Sequence, residues 1–297
     1  MSKTVSPSRE KRYGLARVCR AWEIPRSTLY YRRAAAVSPT PPARRGPIGP
    51  MSDEDLVKAI RADLDASPFY GEGHRKVWAR LRFAGIRTSK DRTLRLMREN
   101  NLLAPTRVGR PHGPRAHDGT IITAQPDVMW GTDLTTIQTV LEGNAHIFIA
   151  VDHCTAECVG IHAAKRGTRF EAMEPVRQGV TEILGRFEAG VAKGLSIRHD
   201  HGSAYVSDYF QTEIAFFGII ASPAFVREPE GNGCAERFIR TLKENLLWVR
   251  HFDTIEQLRA ALLEFKKVYN TTWLIERHGY LTPSQAREVF KPSKRAA

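Results

Sequence analysis

The order of apolar runs after residue 126 restricts this chain more than anything else in it. "DVMWGTDLTTIQTV" reads as a strand, "EGN" as a tight turn and "AHIFIAVDHCT" as a buried strand, with "ECVGIHAA" completing a meander. "TRFEAMEPVRQGVTEILGRF" then reads as a helix despite Pro175, "LSIRHDHG" as a strand, "YVSDYFQTEIAFFG" as a helix and "IIASPA" as another strand. A further helix follows from "EGNGCAERFIRTLKEN" (230–245). Three strands in a meander, followed by alternating helices and strands, predict a mixed sheet covered by helices on both faces. An amphipathic helix near 254–269, a short helix near 283–290 and a basic tail close the chain.

The part before residue 127 is different in kind. "YGLARVCRAWEIPRSTLYYRR" (13–33) reads as two short helices broken at Glu23-Ile24-Pro25, the second displaying Arg26, Ser27, Thr28, Tyr30, Tyr31, Arg32 and Arg33. Such a pair suits a helix-turn-helix reader of DNA. Residues 36–52 carry five prolines and two glycines and form a linker. Residues 53–104 give three more helices, the third with Ser89 as N-cap and with Arg92, Arg95 and Arg98 recurring along one face. Residues 105–126 are a second, basic linker. The domains expected are therefore 10–35, 53–104, a core over 127–250 and a C-terminal helical segment over 251–297.

Charge follows the same division. The net charge of +13 comes from residues 1–126, with 25 Lys or Arg against 11 Asp or Glu; the rest has 20 against 21. A basic front on a near-neutral body points to a polyanion, with nucleic acid leading. No apolar run approaches the roughly 20 residues that span a bilayer, and "MSKTVSPSREKRYG" has no apolar segment after its charges, unlike a secretory signal. Cys19, Cys154, Cys158 and Cys234 lack a paired CxxC spacing and read as reduced thiols of a cytoplasmic protein.

Three acids stand where a mixed sheet gathers functional groups. Asp133 lies within a strand, Asp200 ends one just before a glycine turn, and Glu236 opens the helix after the final strand, flanked by Arg237, Arg240 and Lys243. Hard carboxylate oxygens suit Mg²⁺ or Mn²⁺, and a pair of such ions suits phosphodiester chemistry. Taken singly, each acid reads as a salt bridge or cap; taken as a set, they read as a metal site. Glu236, Arg240 and Lys243 share one helix face, so the carboxylate and the cations that could grip phosphate stand together. Asp152, His199 and His201 are lesser candidates; Trp130 and Trp273 read as core.

"WGTDLT", "RHDHGSAY" and "GNGCAERFIRTLKEN" resemble the three signature blocks of the DDE transposase and retroviral-integrase superfamily, which has a ribonuclease-H-like core. The 35 residues between Asp200 and Glu236, and a lysine seven beyond the glutamate, are part of that pattern. "YGEGHRKVWARLRFAGIRTSKDRTLRLMRENNLL" and "YNTTWLIERHGYLTPSQA" extend the resemblance over about residues 10–290, to the second-frame (OrfB-type) transposases of the third insertion-sequence family. One departure is Gly231-Asn232, where many relatives carry Asp-Asn. The resemblance implies an α/β ribonuclease-H-like integrase core behind small all-α helix-turn-helix units. It implies a transposase in which Asp133, Asp200 and Glu236 hold two Mg²⁺ or Mn²⁺ ions. Lys243, Arg240, Arg237 and Asn232 would contact DNA near the acids, with Arg92, Arg95, Arg98, Arg26 and Arg32 in the N-terminal units. Implied partners are double-stranded DNA (terminal repeats and target), further copies of the chain on paired ends, and an upstream first-frame (OrfA-type) protein. The implied location is the bacterial cytoplasm, at the nucleoid when DNA is bound. A catalytically inactive DNA-binding protein is the alternative, against which the complete acid set argues; an RNA nuclease on the same fold fits two helix-turn-helix-like units less well.

Overall fold

The computed structural model describes residues 3–37, 51–105, 121–224 and 229–290. Most of the first linker, residues 106–120 of the second and the tail from 291 lie outside the described residues. The chain divides into two compact units, Met1–Gly49 and Pro50–Ala297.

In the first unit α1 (Leu15–Ala21) and α2 (Arg26–Val37) are joined by a turn in which Glu23 takes a positive φ and the Ile24 N–H bonds to Cys19 O. Pro25 stands immediately ahead of α2, as its fixed φ favours. Arg26 and Arg32 are exposed.

The second unit opens with three helices, α3 (Asp53–Ala66), α4 (His74–Phe83) and α5 (Lys90–Glu99), around Leu56, Ile60, Val77, Leu81, Leu96 and Met97. Ser52 and Ser89 cap α3 and α5 by accepting from the Asp55 and Arg92 N–H groups. Phe69, between α3 and α4, leaves this small core and packs edge-on against Trp273, 4.8 Å between ring centres. The Tyr70 N–H donates to the Asn245 carboxamide at 2.8 Å.

The sheet has five strands: β1 (Met129–Thr139), β2 (Gly143–Asp152), β3 (Cys158–Ala164), β4 (Ser196–His199) and β5 (Ile220–Pro223). Their spatial order is β3-β2-β1-β4-β5, with β1–β2 and β2–β3 antiparallel and β1–β4 and β4–β5 parallel. This is the mixed, ribonuclease-H-like sheet expected. Period-2 alternation along β2 explains its continuous apolar run: Ile147, Ile149 and Val151 face one layer, Phe148 and Ala150 the other. The first layer holds α8 (Gly233–Leu242) and α9 (Ile255–Thr272). The second holds α6 (Arg169–Gly179) and α7 (Asp208–Phe216). Leu258, Leu262, Phe265 and Tyr269 of α9 share their core with Phe238 and Leu242 of α8.

Pro175 lies inside α6, and the chain runs on through a π-turn at Val180–Leu184. Close approach of α6 to the sheet depends on Gly160, where a Cβ would stand 1.9 Å from Pro175 O. The fourth strand is shorter than the sequence suggested, ending at His199, so Asp200 occupies the loop beyond it. The final helix, α10 (Pro283–Phe290), is fastened by Arg287, whose guanidinium reaches Asp127 just ahead of β1 at 2.5 Å and also Glu157 before β3.

Candidate active site

Asp133 sits on the central strand opposite Ile149 and is half-buried. Burial pushes its carboxyl up to about 6; the Leu134 N–H (2.8 Å) and Lys243 oppose that rise, while the charges of Asp200 and Glu236 add to it. Asp133 thus lies within electrostatic reach of Asp200, Glu236 and Lys243, although 103 positions separate it from Glu236 in the chain. Asp200 follows β4, the parallel neighbour of β1, and accepts the Gly202 N–H at 2.9 Å. Glu236 is exposed in the first turn of α8, where the helix dipole favours an anion. Arg237 and Arg240 are exposed and Lys243 is half-buried.

The start of α8 is fixed to β1 by an amide. Asn232 is 6% exposed, and its Nδ2 donates to Thr132 O at 2.9 Å. Expected among the DNA contacts, Asn232 is instead a buried tie whose side chain is turned into the protein, because α8 begins directly over β1. Gly131 makes room for it: a Cβ there would lie 2.5 Å from Asn232 Oδ1 and 2.7 Å from His153 Nε2. Gly231 does the same for Arg198, whose guanidinium would meet a Cβ at 2.3 Å. The sequence gives no sign of the spacing role of Gly131, and Gly231 stood out there only as the departure from Asp-Asn; "WGTD" and "GNG" carried the signal only as small residues beside acids.

Neighbouring groups divide clearly. Asp152 is fully buried and accepts from the Thr155 N–H and hydroxyl and from the Asp127 N–H, a loop-building role. His199 is buried, bonded through Nδ1 to Asp200 O and stacked on Tyr205; His201 bonds Ala224 O. Burial pushes the Cys158 and Cys234 thiols up to about 12 and about 11, so neither offers a thiolate to a metal. Trp130 is fully buried, as expected, and Trp273 packs between Phe69 and Tyr269.

Among the described residues no three His, Cys, Asp or Glu side chains close on a common point as they stand. The donor set nonetheless fits a hard divalent cation, since burial and then the charges of Asp200 and Glu236 raise the Asp133 carboxyl and a cation would relieve that cost. In the N-terminal domain, Arg92 and Arg95 both pair with Asp53, at 2.9 and 2.7 Å, and Arg95 also with Glu99. Of the three arginines in this row, Arg98 is exposed and Arg92 and Arg95 are half-buried.

A five-stranded mixed sheet in this order, covered by helices on both faces, is the ribonuclease-H-like arrangement. The integrase core domain family matches residues 218–283, which include Glu236 and Lys243, and the HTH-like domain family matches 52–110. The chain is 27% identical over 241 residues to transposase InsD of insertion element IS2A/D/F/H/I/K from Escherichia coli, covering 78% of each chain. It is equally similar to the InsD transposase of IS2-9 from Escherichia coli K12, covering 78% of this chain and 76% of that one. Among solved structures, the HTLV-2 integrase catalytic core in complex with magnesium aligns over 55% of this chain and 98% of its own, with 19% identity and a TM-score of 0.42. The family matches and the InsD relatives support an insertion-sequence transposase of the DDE/integrase superfamily, acting in DNA transposition and integration.

Proposed function

We propose that the chain cuts DNA at the ends of an insertion sequence and joins the freed ends to a target, using Asp133, Asp200 and Glu236. The reading rests on the similarity to the InsD transposases together with the placement of Asp133 on the central strand, Asp200 just beyond its parallel neighbour β4 and Glu236 in the first turn of α8. Mg²⁺ or Mn²⁺, two ions in this reading, would be held by the three carboxylates and would supply activation of the attacking oxygen and stabilisation of the leaving one.

The remaining work belongs to the chain's own groups. Asp133 rides on the central strand of the sheet and gives the site its fixed point. The Gly202 N–H orients Asp200, and the Asn232–Thr132 bond sets the origin of α8, hence the height of Glu236 over β1. Lys243 and Arg240 hold the phosphates on either side of the scissile bond. Water attacks first: a P–O bond to water forms, the P–O3′ bond breaks, and the element keeps a 3′-hydroxyl. That hydroxyl then attacks a target phosphodiester in line, and the displaced target 3′-oxygen leaves with a proton. No protein nucleophile takes part; the Tyr205 hydroxyl is buried, accepts from Thr132 and has its pKa driven up by burial. Lys, Arg and helix-turn-helix contacts would place terminal repeats and target DNA, with further copies of the chain, and an OrfA-type partner, assembling on paired ends.

The test compares wild type with Glu236→Gln on a plasmid carrying the gene, any upstream frame and native flanking DNA, by sequencing joined-end junctions. Junctions with wild type and none with the variant are expected. Equal junction counts would refute the assignment, and metal-independent DNA binding without cutting by either would favour the non-enzymatic alternative.

A further inference from the structure

The catalytic helix does not stop at the cations. After Leu242 it passes through a π-turn, Lys243–Leu247, closed by the Trp248 N–H bonding to Lys243 O at 2.9 Å. At about 100° per residue, eleven residues make three turns, so an unbroken α-helix would place Leu247 over Glu236. The wide turn takes in one extra residue. Leu247 is accordingly turned inward at 7% exposure, and Trp248 stands outward at 69%, in line with Glu236, Arg240 and Lys243. Trp248 and the adjoining Val249, 55% exposed, leave the outer side of this turn apolar, and π-turns of this kind concentrate at functional sites.

Its surroundings favour an anionic occupant with flat apolar faces. Arg237, Arg240 and Arg250 are exposed and Lys243 is half-buried, against Glu236 and the half-buried Glu244. A second exposed ring, Tyr70 at 70%, is attached to the same turn through its N–H bond to Asn245. Along the helix Trp248 lies about 18 Å from Glu236, the span of about five nucleotides of one strand.

We propose that Trp248 is a base-stacking contact for an unpaired base of the DNA, several nucleotides from the scissile phosphate, set on the catalytic face by the π-turn. The inference rests on the transposase reading above. Stacking on tryptophan needs a free base face and tolerates any base, so it would favour frayed or opened ends over intact duplex.

The test uses the full chain as wild type, Trp248→Ala and Trp248→Phe, with a blunt duplex of the element end and the same duplex carrying an unpaired arm of about five nucleotides. Binding is read by fluorescence anisotropy, folding by thermal melting and oligomeric state by sedimentation. Wild type should prefer the arm-bearing DNA about tenfold, the size of one stacked base. Trp248→Phe should keep most of that ratio and Trp248→Ala should bring it to about one. A wild-type ratio of one, an unchanged ratio in Trp248→Ala, or a changed oligomeric state with an unchanged ratio would overturn the proposal, the last by showing that another copy covers this face. If cutting depends on Glu236 while Trp248→Ala keeps its ratio, only this inference fails. If Glu236→Gln cuts like wild type, or the protein binds neither DNA, the transposase reading itself fails.

Discussion

Replacing Gly131 by alanine tests how the acids are held in register. The new Cβ would stand 2.5 Å from Asn232 Oδ1 and 2.7 Å from His153 Nε2, about half an ångström or more inside contact distance. Neither neighbour can yield freely: the His153 ring is bonded at Nδ1 to Ile121 O at 2.8 Å, and Asn232 is bonded to Thr132 O at 2.9 Å. Relief therefore requires moving the start of α8. Overpacking of this kind costs about 1–3 kcal/mol, and loss of the Asn232–Thr132 bond adds about 1 kcal/mol. A total of about 2–4 kcal/mol lowers the melting temperature by about 5–12 °C in a unit of this size. Because Glu236 lies one turn beyond Asn232, cutting should fall more than tenfold at a temperature where the variant is still folded. Asn232→Ala removes one of the two obstructing atoms, so Gly131→Ala should cost about 1 kcal/mol less in that background. Calorimetry of the four proteins in the cycle measures the coupling. Additive costs, or a Gly131→Ala variant that melts and cuts like wild type, would refute the claim that this glycine sets the spacing of the acids.

Two further outcomes bear on charge. Asp133 has a folded-state pKa above its unfolded value, so its contribution favours folding below about pH 4 and is lost as pH rises through about 6. Asp133→Asn should therefore stabilise the metal-free protein by about 1–2 kcal/mol at pH 7.5, after screening, and have little effect at pH 4; Mg²⁺ should raise the melting temperature of wild type but not of the variant. A destabilised variant at pH 7.5 would count against the acid cluster. In the N-terminal domain Arg95 and Arg92 hold Asp53 down to about 2, stability that is present above its unfolded pKa and lost as pH falls toward 2. Asp53→Ala should cost about 1 kcal/mol and, by removing the carboxylate that neutralises Arg92 and Arg95, tighten salt-dependent binding to arbitrary duplex; unchanged affinity would show that these arginines do not face DNA.

Much of this was legible in the residue order. The alternation in β1, the doubly apolar run of β2 and the helix spacing around Phe238 and Leu242 gave the mixed sheet and its covering layers, and an acid inside a strand marked Asp133. Other features arise from contacts distant in sequence. Helical spacing puts Arg92 and Arg95 on one face but cannot show that Asp53, some forty positions earlier, lies opposite them. An asparagine before a catalytic acid looks like a ligand contact; its inward turn follows from the place where α8 lands on β1. The π-turn at 243–247 has no residue signature, since glycine and proline are absent from "KENLL".

Arg287 has a consequence for how such a body comes apart. By gripping Asp127 and Glu157 it brings the stretch after α9 back to the point where the sheet begins. The path from 127 to 287 is thus a closed loop, entered and left at one corner. Phe69 and the Tyr70 N–H reach into that body at Trp273 and Asn245, so the three helices ahead of it are seated on the loop and not merely strung from it. The arginine that shuts the loop ties the last helix to the first strand, so the closing segment and the sheet stand or melt together.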